Sequence, residues 1–389
     1  GALAVAVAAL HAAGGMSSLL EQLQALKRPE VLSLVPWTLD GGGFQWLEGA
    51  GISVPMFLAY VALQWWSFRR SDGGGEFIQR MLATKDEQQA RLAGWVFLVV
   101  NYLIRSWLWV VVALAALVLL PDQGDWELSY PALAVELLPP VALGLVVVSL
   151  VAAFMSTVST SVNWGASYLT HDLYQRFIRP QAKGAELLLV GQLTTVLLLV
   201  LGVITALISD SIGTVFRLVI AIGSGPGVVL VLRWFWWRIN AWSELSAMVI
   251  SFLVALYFQF GHEALGFNEI DPSLQLVLGV LITTAGWITV TFLTPPTEHE
   301  TLKSFHRLIR PMGNGWAGAG LGLTEEDRSA ENASAAFLAW FLGVTVVYGA
   351  VLGTGYLLYG QAILAGVCLG AAAISSLVLL KTLPRVGLT

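Results

Sequence analysis

Apolar residues in this chain come in long unbroken blocks. They do not alternate, as in a half-buried strand, and they do not form the narrow stripe of a surface helix. A helix that crosses the hydrocarbon of a bilayer needs about 20 mostly apolar residues. On that measure the pattern predicts about ten membrane segments. They are Gly1 to about Gly14, Ile52–Phe68, Leu92–Leu120, Leu138 to about Leu169, Leu187–Ile208, Thr214–Leu232, Leu245–Phe260, Leu274–Leu293, Ala335–Leu358 and Ala362–Leu380. The first is short, as a helix cut in half would be. After it, SSLLEQLQAL has an amphipathic period and predicts a short surface helix over Met16–Leu26.

The polar positions between the blocks set a direction. Basic residues fill every second connection: Arg69, Arg70, Arg80, Lys85 and Arg91; then Arg176, Arg179 and Lys183; then Arg233 and Arg238; then Lys303, Arg307, Arg310 and Arg328; then Lys381 and Arg385. The alternate connections carry Asp122, Asp125, Glu127 and Glu136, then Asp210, then Glu263, Glu269 and Asp271, then an uncharged turn at Tyr359–Gln361. Repeated down the chain, this is the positive-inside bias. It predicts a cytoplasmic C-terminus in a bacterial-type cytoplasmic (inner) membrane. The first outer connection, with Lys27 and Arg28, is the exception.

Composition agrees with the pattern. The chain is 57% hydrophobic and 12% charged, about half the charged fraction of a soluble domain, and its 16 Trp suit interfacial belts. The formal net charge of −5 is spread over loops on both sides, so the bilayer is the expected partner and nucleic acid is not. The single cysteine, Cys368, rules out an intrachain disulfide and a Cys-based metal site. Five histidines are scattered, no nucleophile motif is present, and no enzyme reading follows. The glycine-rich run from Gly313 to Gly322 follows no strand, so it does not read as a phosphate loop. Asn332-Ala333-Ser334 matches a glycosylation acceptor but falls on the cytoplasmic side. The chain does not begin with Met and has no charged n-region before its short first block, so the expectation is a fragment of a longer protein.

The chemistry concentrates in the fourth segment. Ser156, Thr157, Ser159, Thr160 and Ser161 put five hydroxyls into six positions of an otherwise apolar helix. Residues three and four apart share a helical face. Ala153, Ser156 and Thr157 therefore offer a carbonyl and two hydroxyl oxygens to one small volume, with no carboxylate. Hard neutral oxygens suit a weakly held monovalent cation such as Na⁺. Two plainer readings stay open at this point. The small-xxx-small spacings Ala152/Ser156/Thr160 and Ala153/Thr157/Ser161 let helices pack closely, and membrane Ser and Thr bond back to their own helix.

The run Ala152-Ala153-Phe154-Met155-Ser156-Thr157-Val158-Ser159-Thr160-Ser161-Val162-Asn163, followed by Ser167 and Asp172-Leu173-Tyr174, resembles the signature of the sodium:solute symporter family. Gln79-Arg80-Met81-Leu82-Ala83, with Ala90-Arg91, and the element from Arg233 through Trp236-Trp237-Arg238-Ile239-Asn240 to Trp242-Ser243-Glu244 resemble two further family segments, in the right order. Members carry sugars, proline, pantothenate or monocarboxylates. The resemblance implies a partial LeuT-like inverted-repeat core plus peripheral helices in an all-α polytopic membrane protein. Residues 1–14 would be part of core helix five, 52–232 core helices six to ten, and 245–380 peripheral. It also implies that Ala153, Ser156 and Thr157 are one half of a sodium site, with Na⁺ as coupling ion, no other cofactor, and a small organic solute as cargo. On that layout core helices one to four are expected to lie outside this sequence, and the broken first core helix would supply the other half of the sodium site.

Other positions are candidates in the same frame. Gln64, Trp65 and Trp66 sit where core helix six would contact solute, or they anchor an interface. Arg105 lies deep in the third segment, where an internal carboxylate or carbonyl partner and a gating or structural role are expected. Gly223, Gly225, Pro226 and Gly227 break the sixth segment and suit a hinge or close packing. Asp172 and Arg176, one turn apart, predict a local ion pair. The function expected is sodium-coupled symport. A transporter-like sensor and a proton-coupled or uncoupled carrier are the alternatives.

Overall fold

A computed structural model of the protein describes residues 1–40, 43–67, 75–209, 211–311, 314–322 and 333–386. In chain order the elements are α1 (Ala2–Ala12), α2 (Met16–Ala25), β1 (Trp37–Asp40), β2 (Gly43–Trp46), α3 (Val54–Ser67), α4 (Gly75–Leu82), α5 (Glu87–Leu98), α6 (Arg105–Leu119), α7 (Ser129–Leu137), α8 (Pro140–Ser167), α9 (Ala185–Ile208), α10 (Ile212–Leu232), α11 (Ala241–Leu256), α12 (His262–Ala264), α13 (Pro272–Leu293), α14 (His299–Ile309), α15 (Ala333–Leu358) and α16 (Ala362–Thr382). Every apolar block is helical. Among the described residues, seven helices are long and apolar enough to cross a membrane: Glu87–Leu119, Pro140–Ile178, Ala185–Ile208, Ala241–Ala264, Pro272–Leu293, Ala333–Leu358 and Ala362–Val386. The protein is all-α, polytopic and integral to a membrane. The remaining predicted segments correspond to α1 and α3, which are shorter at 11 and 14 residues, and to α10, which has 21.

Three of the long helices contain π-helical stretches, at Val99–Ile104, Tyr168–Ile178 and Tyr257–Gly261. They join α5 to α6, extend α8 and extend α11, so these helices outrun their apolar blocks. A small antiparallel hairpin was not anticipated: β1 pairs with β2, with Trp37 opposite Trp46. Its aromatic rings close on Phe57 of α3 at 5.4 and 5.7 Å, and Trp46 Nε1 donates to Ile52 O at 2.9 Å. The hairpin thus secures the N-terminal end of α3. A four-residue strand of mixed polarity gives no periodic signal long enough to read.

The chain forms two compact units, one of Gly1–Leu19 and Leu108–Val215, the other of Leu20–Trp107 and Phe216–Thr389. In the first, Val5, Ala6 and Ala9 of α1 are buried, as is Leu133 of α7, and α8 packs on α9. Glu127 accepts from Ile212 N at 3.1 Å, capping the positive end of α10 with a carboxylate.

The second unit is built on close helix crossings. Gly349 and Gly353 sit where an added Cβ would lie 2.8 Å from Cys368 O and 2.7 Å from Leu369 Cγ, so small residues four apart let α15 lie against α16. Gly355 leaves room for the Trp107 ring, whose Nε1 donates to Val351 O at 3.1 Å. Tyr359 meets the same ring edge-on at 6.1 Å, and burial pushes its hydroxyl up to about 12. Between α10 and α11 the Trp-rich element is a joint. Asn240 and Ser243 form a reciprocal capping box at the start of α11. Asn240 Nδ2 also donates to Thr294 Oγ1 at 3.0 Å and to Pro295 O at 3.1 Å, and Arg238 Nη2 donates to Thr294 O at 2.7 Å. One short polar stretch therefore caps α11 and closes the C-terminal end of α13.

Candidate functional site

The site candidate lies on α8. Pro139 and Pro140 start this helix where a missing N–H costs nothing, and no Gly or Pro interrupts it before Gly144 or between Gly144 and Gly165. Ala153, Ser156 and Thr157 fall in regular α-helix, so the carbonyl of residue 153 and the two hydroxyls share one face. All three residues are exposed. The Ala153 carbonyl takes part in the helix ladder and keeps a second lone pair.

Elsewhere in the chain, several helical threonines turn their hydroxyl back on their own helix. Thr195, Thr205, Thr289, Thr345 and Thr382 each donate to the carbonyl four residues earlier, at 2.7 to 3.0 Å. Ser156 and Thr157 do not, and neither hydroxyl has a hydrogen-bond partner among the described residues. The two neighbouring oxygens are thus presented outward together, which is the arrangement a hard cation requires.

A polar stripe continues from this point. Asn163, Ser167 and His171 follow Ser156 at spacings of seven, four and four, and they line a groove with Gln192 and Thr195 of α9. Asn163 Nδ2 donates to Ser159 Oγ at 3.4 Å, and Thr170 meets Thr194 at 3.3 Å. Sequence reading overlooked this groove because half of it comes from α9, whose apolar block hides its polar positions. The ion pair expected between Asp172 and Arg176 is not formed. In the π-helical stretch residues five apart share a face, as the Arg179 N to Tyr174 O bond at 2.8 Å records. Tyr174 and Arg179 accordingly converge on Glu186 of α9, at 2.8 and 3.2 Å, and the Arg176 guanidinium lies over Phe177.

The glycine–proline segment does not interrupt α10, which runs as one helix through Gly223, Gly225, Pro226 and Gly227. Pro226 has no N–H to offer the carbonyl of Ile222. Ser251 Oγ of α11 supplies the donor instead, at 2.8 Å. A Cβ on Gly225 would meet Thr283 Cγ2 at 2.4 Å and Ala247 O at 2.6 Å, so α10 here lies against the backbone of α11 and the Thr283 side chain of α13. Ser251 was missed by sequence reading, although a helix-internal proline announces a carbonyl in need of a partner.

The remaining candidates stand apart from α8. Trp66 Nε1 donates to Ala62 O of its own helix at 3.0 Å. The side chains of Gln64 and Trp65 lie outside the described residues. Arg105 begins α6, is exposed, and has no hydrogen bond or ion pair among the described residues, so the internal partner expected for it is absent. The continuous helix from Glu87 to Leu119 turns this position outward.

The comparisons with known proteins fit this geometry. The sodium:solute symporter family matches residues 1–251. The osmoregulated proline transporter OpuE of Bacillus subtilis is 30% identical over 166 residues, covering 41% of this chain and 33% of that protein. The sodium/glucose cotransporter of Vibrio parahaemolyticus is 28% identical over 244 residues, covering 57% and 44%. Sodium/glucose cotransporter 4 of Danio rerio is 29% identical over 245 residues, covering 54% and 36%. The chain thus spans less than half the length of these relatives. With the matched region covering most of the chain and including the hydroxyl run of α8, this protein belongs to the sodium:solute symporter family.

Proposed function

We propose that this protein takes part in sodium-coupled symport of a small organic solute across a bacterial-type cytoplasmic membrane, with its C-terminus in the cytoplasm. In this reading α1 is part of core helix five, α3 to α10 supply core helices six to ten of a LeuT-like repeat, and α11 to α16 are peripheral, the whole forming one transporter domain. The Ala153 carbonyl and the Ser156 and Thr157 hydroxyls form one half of a sodium site. The other half would come from the first core helix of the family layout.

The observation that carries the reading is the pair of adjacent exposed hydroxyls on α8 that have no hydrogen-bond partner among the described residues, on their own helix or another. Neutral oxygens hold Na⁺ without a carboxylate's charge, so the ion is released on the far side. Binding between two groups of helices favours the conformation in which they are close and orders the adjoining solute site. Inward movement is then driven by the Na⁺ gradient and by about 2.3 kcal/mol per charge for each 100 mV of membrane potential.

The test is ²²Na⁺ binding to the purified protein, in the longest form its gene encodes, beside a Ser156→Ala/Thr157→Ala variant. Saturable binding that the double variant loses supports the assignment. Equal binding by both would move the sodium site away from α8.

A further inference from the structure

The second unit contains a cavity of about 130 Å³ between α3, α10, α11 and α13. Its wall is mostly apolar, with Met56, Leu218, Ile220, Val254, Phe258 and Leu276, and Tyr60 of α3 beside them. Its ends are not. Gln259 and Gln275 lie toward one end, and Ser251 and Thr283 lie eight residues further along the same two helices, about 12 Å deeper at 1.5 Å per residue. A π-helical stretch, Tyr257–Gly261, carries Phe258 and Gln259 at the first end, and such stretches cluster at functional sites.

Thr283 is the unusual residue. It is fully buried, and its hydroxyl has no hydrogen-bond partner among the described residues. Thr289 and Thr291, on the same helix, both reach the carbonyl four residues back. The Thr283 methyl instead occupies the space beside Gly225, which fixes the side chain away from that bond. A buried hydroxyl left unpaired costs about 1–3 kcal/mol, so its position calls for a partner.

The geometry points to a binding site for a compact apolar ring bearing a single hydroxyl, a phenol- or cyclohexanol-sized amphiphile, with the ring against the aliphatic wall and the hydroxyl on Thr283. The size follows from the volume: an apolar cavity of about 150 Å³ accommodates one benzene ring. A polyol or an amino acid is a poorer match, because the polar side chains sit mainly at the two ends and most of the wall between them is aliphatic. We read the site as separate from the path of the transported solute on this match of size and polarity, and it does not depend on the sodium reading. Its floor is also the anchor of α10. Ser251 holds the Ile222 carbonyl freed by Pro226, and Thr283 packs on Gly225, so occupancy braces α10 at that point.

The experiment is a ¹⁹F NMR titration of 4-fluorophenol and fluorobenzene into the purified protein in nanodiscs, with unlabelled phenol as competitor. Two variants accompany it. Thr283→Val keeps the shape and removes the hydroxyl. Gly279→Leu fills the cavity from a position where an added Cβ meets only Val254 Cγ1, at 3.7 Å. The expected result is a saturable 4-fluorophenol component displaced by phenol. Thr283→Val weakens it about fivefold while fluorobenzene is unaffected, and Gly279→Leu removes both. Absence of a phenol-displaceable component in the unmodified protein overturns the proposal, as does a component that both variants leave unchanged. Displacement by saturating glucose or proline would overturn the separation from the solute path.

Discussion

Two clusters of hydroxyls in this protein have the same chemistry and opposite surroundings. At the joint of α11 and α13, Asn240, Ser243, Thr291 and Thr294 satisfy one another and the ends of both helices. Ser243 and Thr291 are fully buried, and their oxygens lie 2.6 Å apart. On α8, Ser156 and Thr157 are exposed and unbonded. A hydroxyl buried between two packed helices is out of an ion's reach, whatever lone pairs it keeps. One that is exposed and unbonded is available. The contrast teaches that, in a membrane protein this rich in Ser and Thr, the engagement of a hydroxyl says more about its role than its presence does.

The contrast can be broken from either side. The largest expected effect is on the structural cluster. Asn240→Ala strips the cap of α11 and the bonds to Thr294 and Pro295, and is expected to cost about 2–3 kcal/mol, read as a lower melting temperature in detergent. The apparent Na⁺ affinity of the protein that remains folded stays unchanged. A variant with native melting behaviour would show that the joint is not a structural device.

On α8 the pattern reverses. Thr157→Ala is expected to raise the Na⁺ concentration for half-maximal uptake about tenfold, with the melting temperature unmoved. A fall in stability with unaltered Na⁺ dependence would place Thr157 with the packing hydroxyls instead.

Ser251 lies between the two cases, a single hydroxyl serving one backbone carbonyl. Ser251→Ala leaves Ile222 O unpaired and is expected to cost about 1–2 kcal/mol. Adding Pro226→Ala restores an N–H to that carbonyl, so the double variant should recover most of the loss. Additive losses in the cycle would deny the link.

The smallest effect is at the surface. Asp271 caps α13, and hydrogen bonds from the Ser273 hydroxyl and N–H hold its carboxyl below the usual carboxylate range. A depressed native value means that the stabilisation is present above the unfolded value, about 3.9, and fades as pH falls through the lower native one. An acid titration of melting temperature should therefore fall less steeply in Asp271→Asn than in the unmodified protein. Identical slopes would remove Asp271 from the acid response.

Much of this was legible in the chain. Each of the ten apolar blocks is a helix, and Met16–Ala25 is the short helix its period predicts. Backbone hydrogen bonding in a bilayer must be met within the segment, so a long apolar run has few alternatives to helix. The 153–156–157 face follows from the same local geometry. The hairpin at Trp37–Trp46 was not legible, being too short to show a period. The Asp172–Arg176 pairing failed because π-helical winding changes which residues meet, and spacing alone does not reveal the winding.

The sequence by itself determined where the helices run, which face of α8 carries oxygens, and that a proline in α10 frees a carbonyl. These are properties of one helix and its repeat. Tertiary structure alone decided which oxygens are engaged: that Ser251 reaches Ile222, that Thr291 reaches Ser243, that Thr283 reaches nothing, and that Ser156 and Thr157 face outward. A hydroxyl's partner is fixed by the helix packed against it, and residues distant in the chain come within 3 Å only when the helices pack.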